Sequence, residues 1–428
     1  MTLVGRIRAT RYKDGTARQA QLLEEDRAAF QLARLNEVWS RAVAESSYWA
    51  RIAREHGTPE HFGSLEEFAS RVPVLTRDDL QRHAAELMST ARPPDLVRMT
   101  GGSTSKPVQL PTWSSELEVT RYDQWIGRGT YGVTPASRLF LLWGHSHLLG
   151  TGWRGWLRAR RLEASDRLLG YLRFSAYDLS PETMRRAGEA LARFRPDYVL
   201  GYGVALDLLA RANEDRGELF AGLGIKAVIG TAESFPHADT VDRLGGLFGA
   251  PVAMEYGAVE TNIMAHTRPE GGFRVFWYNQ LIEGLGEGHL RRVAVTSLYP
   301  RALPLFRYEI GDEIEFDRDP GSAVGVDSFA AVAGRCNDYV TTSDGAVVHS
   351  ELFSHAVRPC AGIRGFQIVA GDDLMLRYTS PQALDDGETE AIRERLGRIH
   401  EELRAIRFER VERLEQTVAG KTRMIVQA

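Results

Sequence analysis

Apolar positions recur at helical spacing over the first part of the chain. From about Ala17 to Arg54 the stripe Leu22, Phe30, Leu35, Val38, Trp39 and Tyr48 predicts one or two amphipathic helices. Ser64-Leu65-Glu66-Glu67 has the form of a capping box, a serine answered by a glutamate three residues on, and opens a short helix. Pro73-Val74-Leu75 breaks that helix, and Thr76 caps a further turn through Leu80. Between Arg92 and Trp113 the helical period stops. A stretch rich in glycine, serine and threonine lies there between two extended, proline-bearing pieces, which predicts strand, loop and strand.

From Arg138 to Tyr256 short apolar runs alternate with helical segments. Leu139–Trp143, Leu168–Phe174, Tyr198–Leu200, Ala227–Ile229 and Val252–Met254 read as strands. Ser180-Pro181, an N-cap followed by proline at the first helical position, opens a helix to about Phe194. Further helices run from about Ala205 to Arg216 and up to Phe248. Such alternation implies parallel strands with crossover helices, whose ligands lie beyond the carboxyl ends of the strands. The loops Trp143–Gly150, Gly201–Gly203, Gly230–Ser234 and Glu255–Thr261 are then the place to look for chemistry. After Arg274 strand-like pieces dominate (Phe273–Trp277, Leu290–Thr296, Glu313–Phe316), and a boundary falls near Gly334. Beyond it come strand, helix, strand, strand, helix and strand. The expected fold class is α/β: a large N-terminal domain, residues 1–334, holding parallel-sheet α/β subdomains and a β-rich part, and a small C-terminal α+β domain, residues 335–428.

Composition narrows the function classes. A chain of 428 residues exceeds one ordinary core. Its net charge of −4 gives no reason to expect nucleic acid or an anionic membrane as partner. Cys336 and Cys360, the two cysteines, have no CxxC or Cys/His spacing around them, so a disulfide framework or structural zinc is not expected. Met1 to Gly15 carries charges throughout, and no apolar run reaches the length of a bilayer span. The expectation is a cytoplasmic globular protein, monomeric or homodimeric. Lysine occurs at only four positions, Lys13, Lys106, Lys226 and Lys421, in a chain otherwise rich in arginine. Lysine is a compact, mobile point charge where guanidinium is a planar fork, so each retained lysine is a candidate for work arginine cannot do.

Thr100-Gly101-Gly102-Ser103-Thr104-Ser105-Lys106-Pro107 has the composition of a phosphate loop. Glycines let backbone N–H groups approach an anion, hydroxyls add donors and a lysine adds charge. A solvated hairpin turn has the same composition. It is not a Walker A loop, because Ser105 precedes Lys106 and Pro107 follows. Gly420-Lys421-Thr422 comes closer, but Glu415 stands where the first glycine of that motif should be.

Four further segments join this loop in a fixed order: Glu255-Tyr256-Gly257-Ala258-Val259-Glu260, Pro304 to Asp312, Gly334-Arg335-Cys336-Asn337-Asp338, and Val418 to Arg423. They resemble the phosphate loop, the Tyr-Gly-x-Thr-Glu, Arg-Tyr-x-x-Gly-Asp and Gly-Arg-x-x-Asp motifs and the terminal Gly-Lys of the adenylate-forming superfamily of acyl-CoA synthetases, adenylation domains and luciferases. Each match is short; five in order span most of the chain. Pro73–Leu80, the stretch from Arg195-Pro196-Asp197 to Tyr202 and the compact length resemble the phenylacetate–CoA ligase-like branch.

The resemblance implies an enzyme that adenylates a small carboxylic acid with ATP and Mg²⁺, releases pyrophosphate and passes the acyl group to coenzyme A. It implies that Ser103, Thr104 and Lys106, with Thr100 and Gly102, hold phosphates, and that Glu260 ligates Mg²⁺. Tyr256 would stack on adenine, flanked by Glu255 and Gly257, with the backbone of Thr231, Ala232 and Glu233 on the other side; a plain buried aromatic is the alternative. Asp312 would accept from the ribose hydroxyls, and Arg335 would touch ribose or phosphate. Lys421 would bridge carboxylate and α-phosphate, and Asn337 with Asp338 would form the hinge on which a mobile small domain turns. Trp143, His145, His147, Tyr202, Gly203 and Tyr256 would line the acyl pocket, where aromatic walls suit a flat aryl acid. His145 is placed beside Lys421 and Glu260 as a catalytic candidate. Three positions depart from the family pattern: Ser105 for glycine, Val259 for threonine, and Asn337 where Asp or Lys is usual. An amine, a hydroxyl or a carrier-protein thiol is the alternative acceptor, and a non-catalytic nucleotide-binding regulator the alternative to an enzyme.

Overall fold

The computed structural model describes residues 3–22, 25–99, 108–143, 152–176, 181–232, 235, 239–335, 339–344, 346–357, 359–360, 362–363, 365–371, 373–414 and 425–427. Six helices open the chain: α1 (Leu3–Leu22), α2 (Arg27–Glu45), α3 (Ser47–His56), α4 (Leu65–Arg71), α5 (Arg77–Arg82) and α6 (Ala84–Leu87). The expected helical region therefore holds three helices and begins well before Ala17. Ser46 separates α2 from α3 by ending the one and capping the other. At Ser64 the serine half of the capping box forms, but the Glu67 carboxylate reaches one residue further back, to the Gly63 amide at 2.7 Å. Thr76 and Asp79 make the full reciprocal box.

Strands β1 (Leu96–Met99) and β2 (Gln109–Thr112) pair antiparallel, so the predicted strand–loop–strand is a hairpin whose connection is the phosphate-loop segment. Helix α7 (Ser114–Gly129) leads into the main sheet. There, β3 (Leu139–Trp143), α8 (Gly152–Leu169), β4 (Tyr171–Ser175), α9 (Pro181–Phe194), β5 (Tyr198–Tyr202), α10 (Gly203–Arg211), α11 (Gly217–Ala221), β6 (Ala227–Thr231), α12 (Thr240–Phe248) and β7 (Val252–Ala258) alternate as expected. Two boundaries differ: Leu168 still belongs to α8, and the helix expected from about Ala205 to Arg216 starts at Gly203 and ends at Arg211, with a 3-10 turn over Glu214–Arg216 before α11.

The five parallel strands lie in the order β4-β3-β5-β6-β7. Chain order thus reverses between β3 and β5, giving the 2-1-3-4-5 pattern of doubly wound sheets. Side chains alternate across the sheet. Leu139, Tyr198, Leu200 and Ile229 face a cluster with Trp125 of α7 and Tyr12 of α1. Phe140, Leu142, Val199 and Val228 face α9, α10 and α12 through Met184, Leu206 and Leu244.

Beyond β7 the sheet continues antiparallel through β8 (Asn262–Thr267) and β9 (Phe273–Val275). A second sheet pairs β10 (Gln280–Leu285), β11 (Leu290–Ser297) and β12 (Tyr308–Glu315); the short β13 (Ser328–Phe329) returns to β9, and β14 (Ala331–Arg335) pairs with β12. The N-terminal helices brace this second sheet. Phe306 packs edge-to-face on Trp39 (5.2 Å between ring centroids) and Trp49 (5.0 Å). Arg307, held at φ +48°, donates to the carbonyls of Ala69 and Val72 at the end of α4 and to the Glu283 carboxylate. The arginine of the Arg-Tyr-x-x-Gly-Asp segment is thereby structural.

The chain ends in β15 (Tyr339–Thr341), β16 (Val347–His349), α13 (Ser350–Val357), β17 (Gly365–Ala370), β18 (Met375–Thr379), α14 (Asp386–Ile399), β19 (Arg407–Arg410) and β20 (Ile425–Gln427). The last four strands form a sheet in the order β19-β18-β17-β20 over a core of their own, with Phe353, Ile368, Leu376 and Leu396 at its centre. The strand, helix, strand, strand, helix, strand order read from the sequence is there, with a second strand before α13 and a second after α14.

Candidate active site

Strand order reverses between β3 and β5, and ligands of doubly wound sheets bind beyond the carboxyl ends of the strands at such a point. Trp143 ends β3 and Tyr202 ends β5, and their rings stack with centroids 4.3 Å apart and 29° between planes. Gly203 follows as the first residue of α10. Tyr202, Thr231 and Glu255 are consecutive register partners across β5, β6 and β7, so the expected pocket and nucleotide segments share one edge of the sheet. Ala232, directly after β6, holds φ +69°, a left-handed conformation that costs a residue with a Cβ about 1 kcal/mol or more and clusters at functional sites.

Tyr256 is 7% exposed. Its ring meets Phe273 (6.3 Å) and Phe329 (5.9 Å) edge-on, and its hydroxyl donates to Asp312 Oδ2 at 3.1 Å. Asp312 lies on β12, directly opposite Arg335 on β14. Gly311, at φ +85°, gives the backbone turn just before it that a side chain would resist. Three motif segments distant in sequence therefore meet at one place.

Glu260 sits at the tip of the three-residue connection between β7 and β8. The turn is tight: a Cβ on Gly257 would lie 2.3 Å from the Asn262 carbonyl oxygen, and Asn262 takes the left-handed conformation (φ +61°) that closes such loops. Glu260 is 7% exposed; Arg301 donates to its carbonyl at 2.6 Å, and Arg77 Nη1 stands 3.5 Å from its Oε1. Arg301 also binds the buried Glu116 carboxylate at 3.0 Å. Arg98, in the strand that enters the phosphate-loop segment, donates to Asn262 Oδ1, which joins β1 to the β7–β8 hairpin. Burial and the neighbouring Arg301 lower the Arg98 pKa.

Among the described residues no cluster of three or more His, Cys, Asp or Glu side chains could hold a metal. A buried carboxylate with only a long contact to a cation does fit Mg²⁺, which takes one or two protein carboxylates together with substrate phosphates. Glu260 would hold it there and no all-protein cage is required.

The Glu255 carboxylate is buried and paired: Arg128 of α7 donates to both its oxygens, at 2.6 and 3.1 Å, and also to the Tyr198 hydroxyl. Burial pushes the Glu255 carboxyl up, but Arg128 outweighs it and the net shift is downward. Thr100, Gly102, Ser103, Thr104, Lys106, His145, His147, Glu233, Asn337, Asp338 and Lys421 lie outside the described residues, as does the side chain of Arg335. Sequence reasoning missed Arg77, Arg98, Asn262 and Arg301; the position of Arg98 two residues before the loop was the one available signal.

The fold thus consists of the doubly wound sheet, the β-rich part beside it and a smaller C-terminal α+β unit. No family model matches the sequence. Protein CapK of Staphylococcus aureus is 22% identical over 345 residues, spanning 76% of this chain and 71% of CapK. The fold is similar to that of 2-hydroxyisobutyryl-CoA ligase solved with 2-HIB-AMP and CoA in its thioesterification state, with a TM-score of 0.59, 20% identity, and coverage of 94% of this chain and 89% of that one. The open conformation of the same ligase gives a TM-score of 0.55 over 92% of this chain and 90% of that one, again at 20% identity. At this identity the likeness is one of fold. Among the described residues no helix is long and apolar enough to cross a membrane.

Proposed function

We propose that this chain is an ATP-dependent acid–thiol ligase. A carboxylate oxygen attacks the α-phosphorus of ATP, the bond to pyrophosphate breaks, and an acyl-adenylate forms. The sulfur of coenzyme A then attacks the acyl carbonyl, the thiol proton is lost and AMP leaves. The observation that carries the reading is the convergence of Tyr256, Asp312 and the β14 strand of Arg335 beside the Glu260 hairpin, at the carboxyl edge of a sheet whose order reverses at Trp143 and Tyr202.

Both reactants of the first step are anions, so the protein must screen and align them. In this reading Ser103, Thr104 and Lys106 hold the phosphates, Glu260 the Mg²⁺ that neutralises them, Asp312 the ribose, and Lys421 the reacting carboxylate and α-phosphate. Residues 335–428 turn on Asn337 and Asp338 between the two steps, a gating motion of the usual kind. The stacked Trp143 and Tyr202 support a flat, small acid, with a substituted benzoate or arylacetate favoured.

The test is AMP release from purified protein with a panel of aryl and alkyl acids, with and without coenzyme A, hydroxylamine and an amine. Acid-dependent AMP formation that coenzyme A accelerates, with an acyl-CoA product by mass spectrometry, is expected. Acceleration by the amine alone would make the chain an amide-forming relative, and ATP binding without any acid-dependent turnover would make it a regulator.

A further inference from the structure

The hairpin that carries Glu260 is held from behind through its backbone. Two consecutive carbonyls at its tip accept from buried side chains: Glu260 from Arg301 Nη2 at 2.6 Å, and Thr261 from Gln280 Nε2 at 2.9 Å. Gln280 opens β10 and Arg301 lies between β11 and β12, so both anchors belong to the neighbouring four-stranded sheet.

Arg301 is itself fixed at every nitrogen. Its Nε donates to Glu116 Oε2 at 3.0 Å and its Nη1 to Ser297 Oγ at 2.9 Å. The other Glu116 oxygen accepts from the amides of Trp113, at 2.8 Å, and Ala302, at 2.9 Å. Glu116 lies in the first turn of α7, the helix that follows β2. One buried ion pair thus joins the end of the β1–β2 hairpin to the tip of the β7–β8 hairpin.

Stability alone is a weak reason for such a pair, because well-packed apolar residues of similar volume often do as well or better. What apolar residues cannot do is hold a peptide carbonyl at a set distance from a helix. A guanidinium can, since its donors form a rigid planar fork.

We propose that Glu116 and Arg301 are positioning residues for the metal-bound nucleotide: Glu116 fixes the fork, and the fork sets where the Glu260 carboxylate stands against the β1–β2 hairpin and α7. The inference rests on reading Glu260 as the metal carboxylate and adds which residues aim it. Outer partners that orient a metal ligand typically contribute about tenfold to hundredfold in metal affinity or activity.

The test is Mn²⁺ titrated into the full-length protein with ATP present and no acid, the free ion being read by electron paramagnetic resonance. Arg301→Lys keeps a cation opposite Glu116 and removes the fork; it should bind Mn²⁺ about tenfold or more weakly than the parent. Arg301→Met with Glu116→Gln leaves no lone buried charge and keeps an acceptor for the two amides. It should lose as much affinity while its melting temperature stays close to the parent's. Parental affinity in both variants would overturn the proposal, and so would fewer ions bound at parental affinity, the mark of lost folded protein alone. Glu260→Gln separates the two layers. If it leaves Mn²⁺ uptake unchanged, Glu260 is not the metal carboxylate and the inference fails with that reading. If it weakens uptake while the Arg301 variants do not, only the positioning role fails.

Discussion

The Tyr256 hydroxyl donates to the Asp312 carboxylate at 3.1 Å, joining β7 of the eight-stranded sheet to β12 of the four-stranded one. Two segments 56 residues apart are thus locked edge to edge, and the carboxylate proposed to accept from the ribose is aimed by a phenol fixed among Phe273 and Phe329. Tyr256→Phe keeps the ring and removes the donor. A hydrogen bond to a charged group contributes about 1.5–3 kcal/mol, part of which water restores here, so KM for ATP should rise roughly fivefold to fiftyfold. Steady-state kinetics would show this chiefly in KM; an unchanged KM would mean that Asp312 needs no such aiming.

The Arg128–Glu255 pair is buried on both sides and bidentate. Arg128→Met would strand the carboxylate in the interior, and breaking a buried pair in this way costs about 3–5 kcal/mol. Urea denaturation should show a loss of that order. Because Arg128 holds the folded-state pKa of Glu255 below its ordinary value of 4.5, the pair's contribution is present above that value and is lost as pH falls through the lower folded pKa.

Asp123 of α7 behaves in the opposite sense. It is fully buried, its oxygens accept from Tyr278 at 2.6 Å and Asn279 at 2.8 Å, and burial pushes it up to about 8 from the ordinary 3.8. Folding then favours the protonated form. Stability from this group is whole below the unfolded value and is lost as pH rises towards the folded one, by up to about 1.4 kcal/mol per pH unit. Asp123→Asn supplies a neutral isostere. Its melting temperature relative to the parent should climb between pH 5 and pH 8, whereas a difference that stays flat across that range would show that Asp123 ionises normally.

Trp143 and Tyr202 stack at the carboxyl ends of β3 and β5, where strand order reverses. Trp143→Leu removes one wall of that stack. Aromatic pairs contribute about 0.5–1.5 kcal/mol beyond burial, so KM for the preferred acid should rise several-fold while larger acids gain relative to it. A substrate profile insensitive to this change would put the acyl group elsewhere.

The elements that were legible in the sequence are those whose signals are local. Apolar runs at Leu139–Trp143 and Ala227–Ile229, the proline at the start of α9 and the Thr76 cap each carry their own physical cause. Helix α1 was not legible because it is charged along its length and among its described side chains buries chiefly Tyr12. The site divided in the same way. Asp312 and Tyr256 were named from motifs, but their contact, the capture of Glu255 by Arg128 and the guanidinium groups around Glu260 join residues 41 to 183 positions apart. Such pairings arise from sheet order and hairpin geometry, which no short window encodes.

Acid-dependent exchange of labelled pyrophosphate into ATP, measured for the parent protein and for Lys421→Ala, tests adenylation most directly. The prediction is that at least one small carboxylic acid stimulates exchange in the parent, and that Lys421→Ala abolishes it while still transferring the acyl group from a preformed acyl-adenylate. Exchange that no acid stimulates, in protein that binds ATP, would contradict the account.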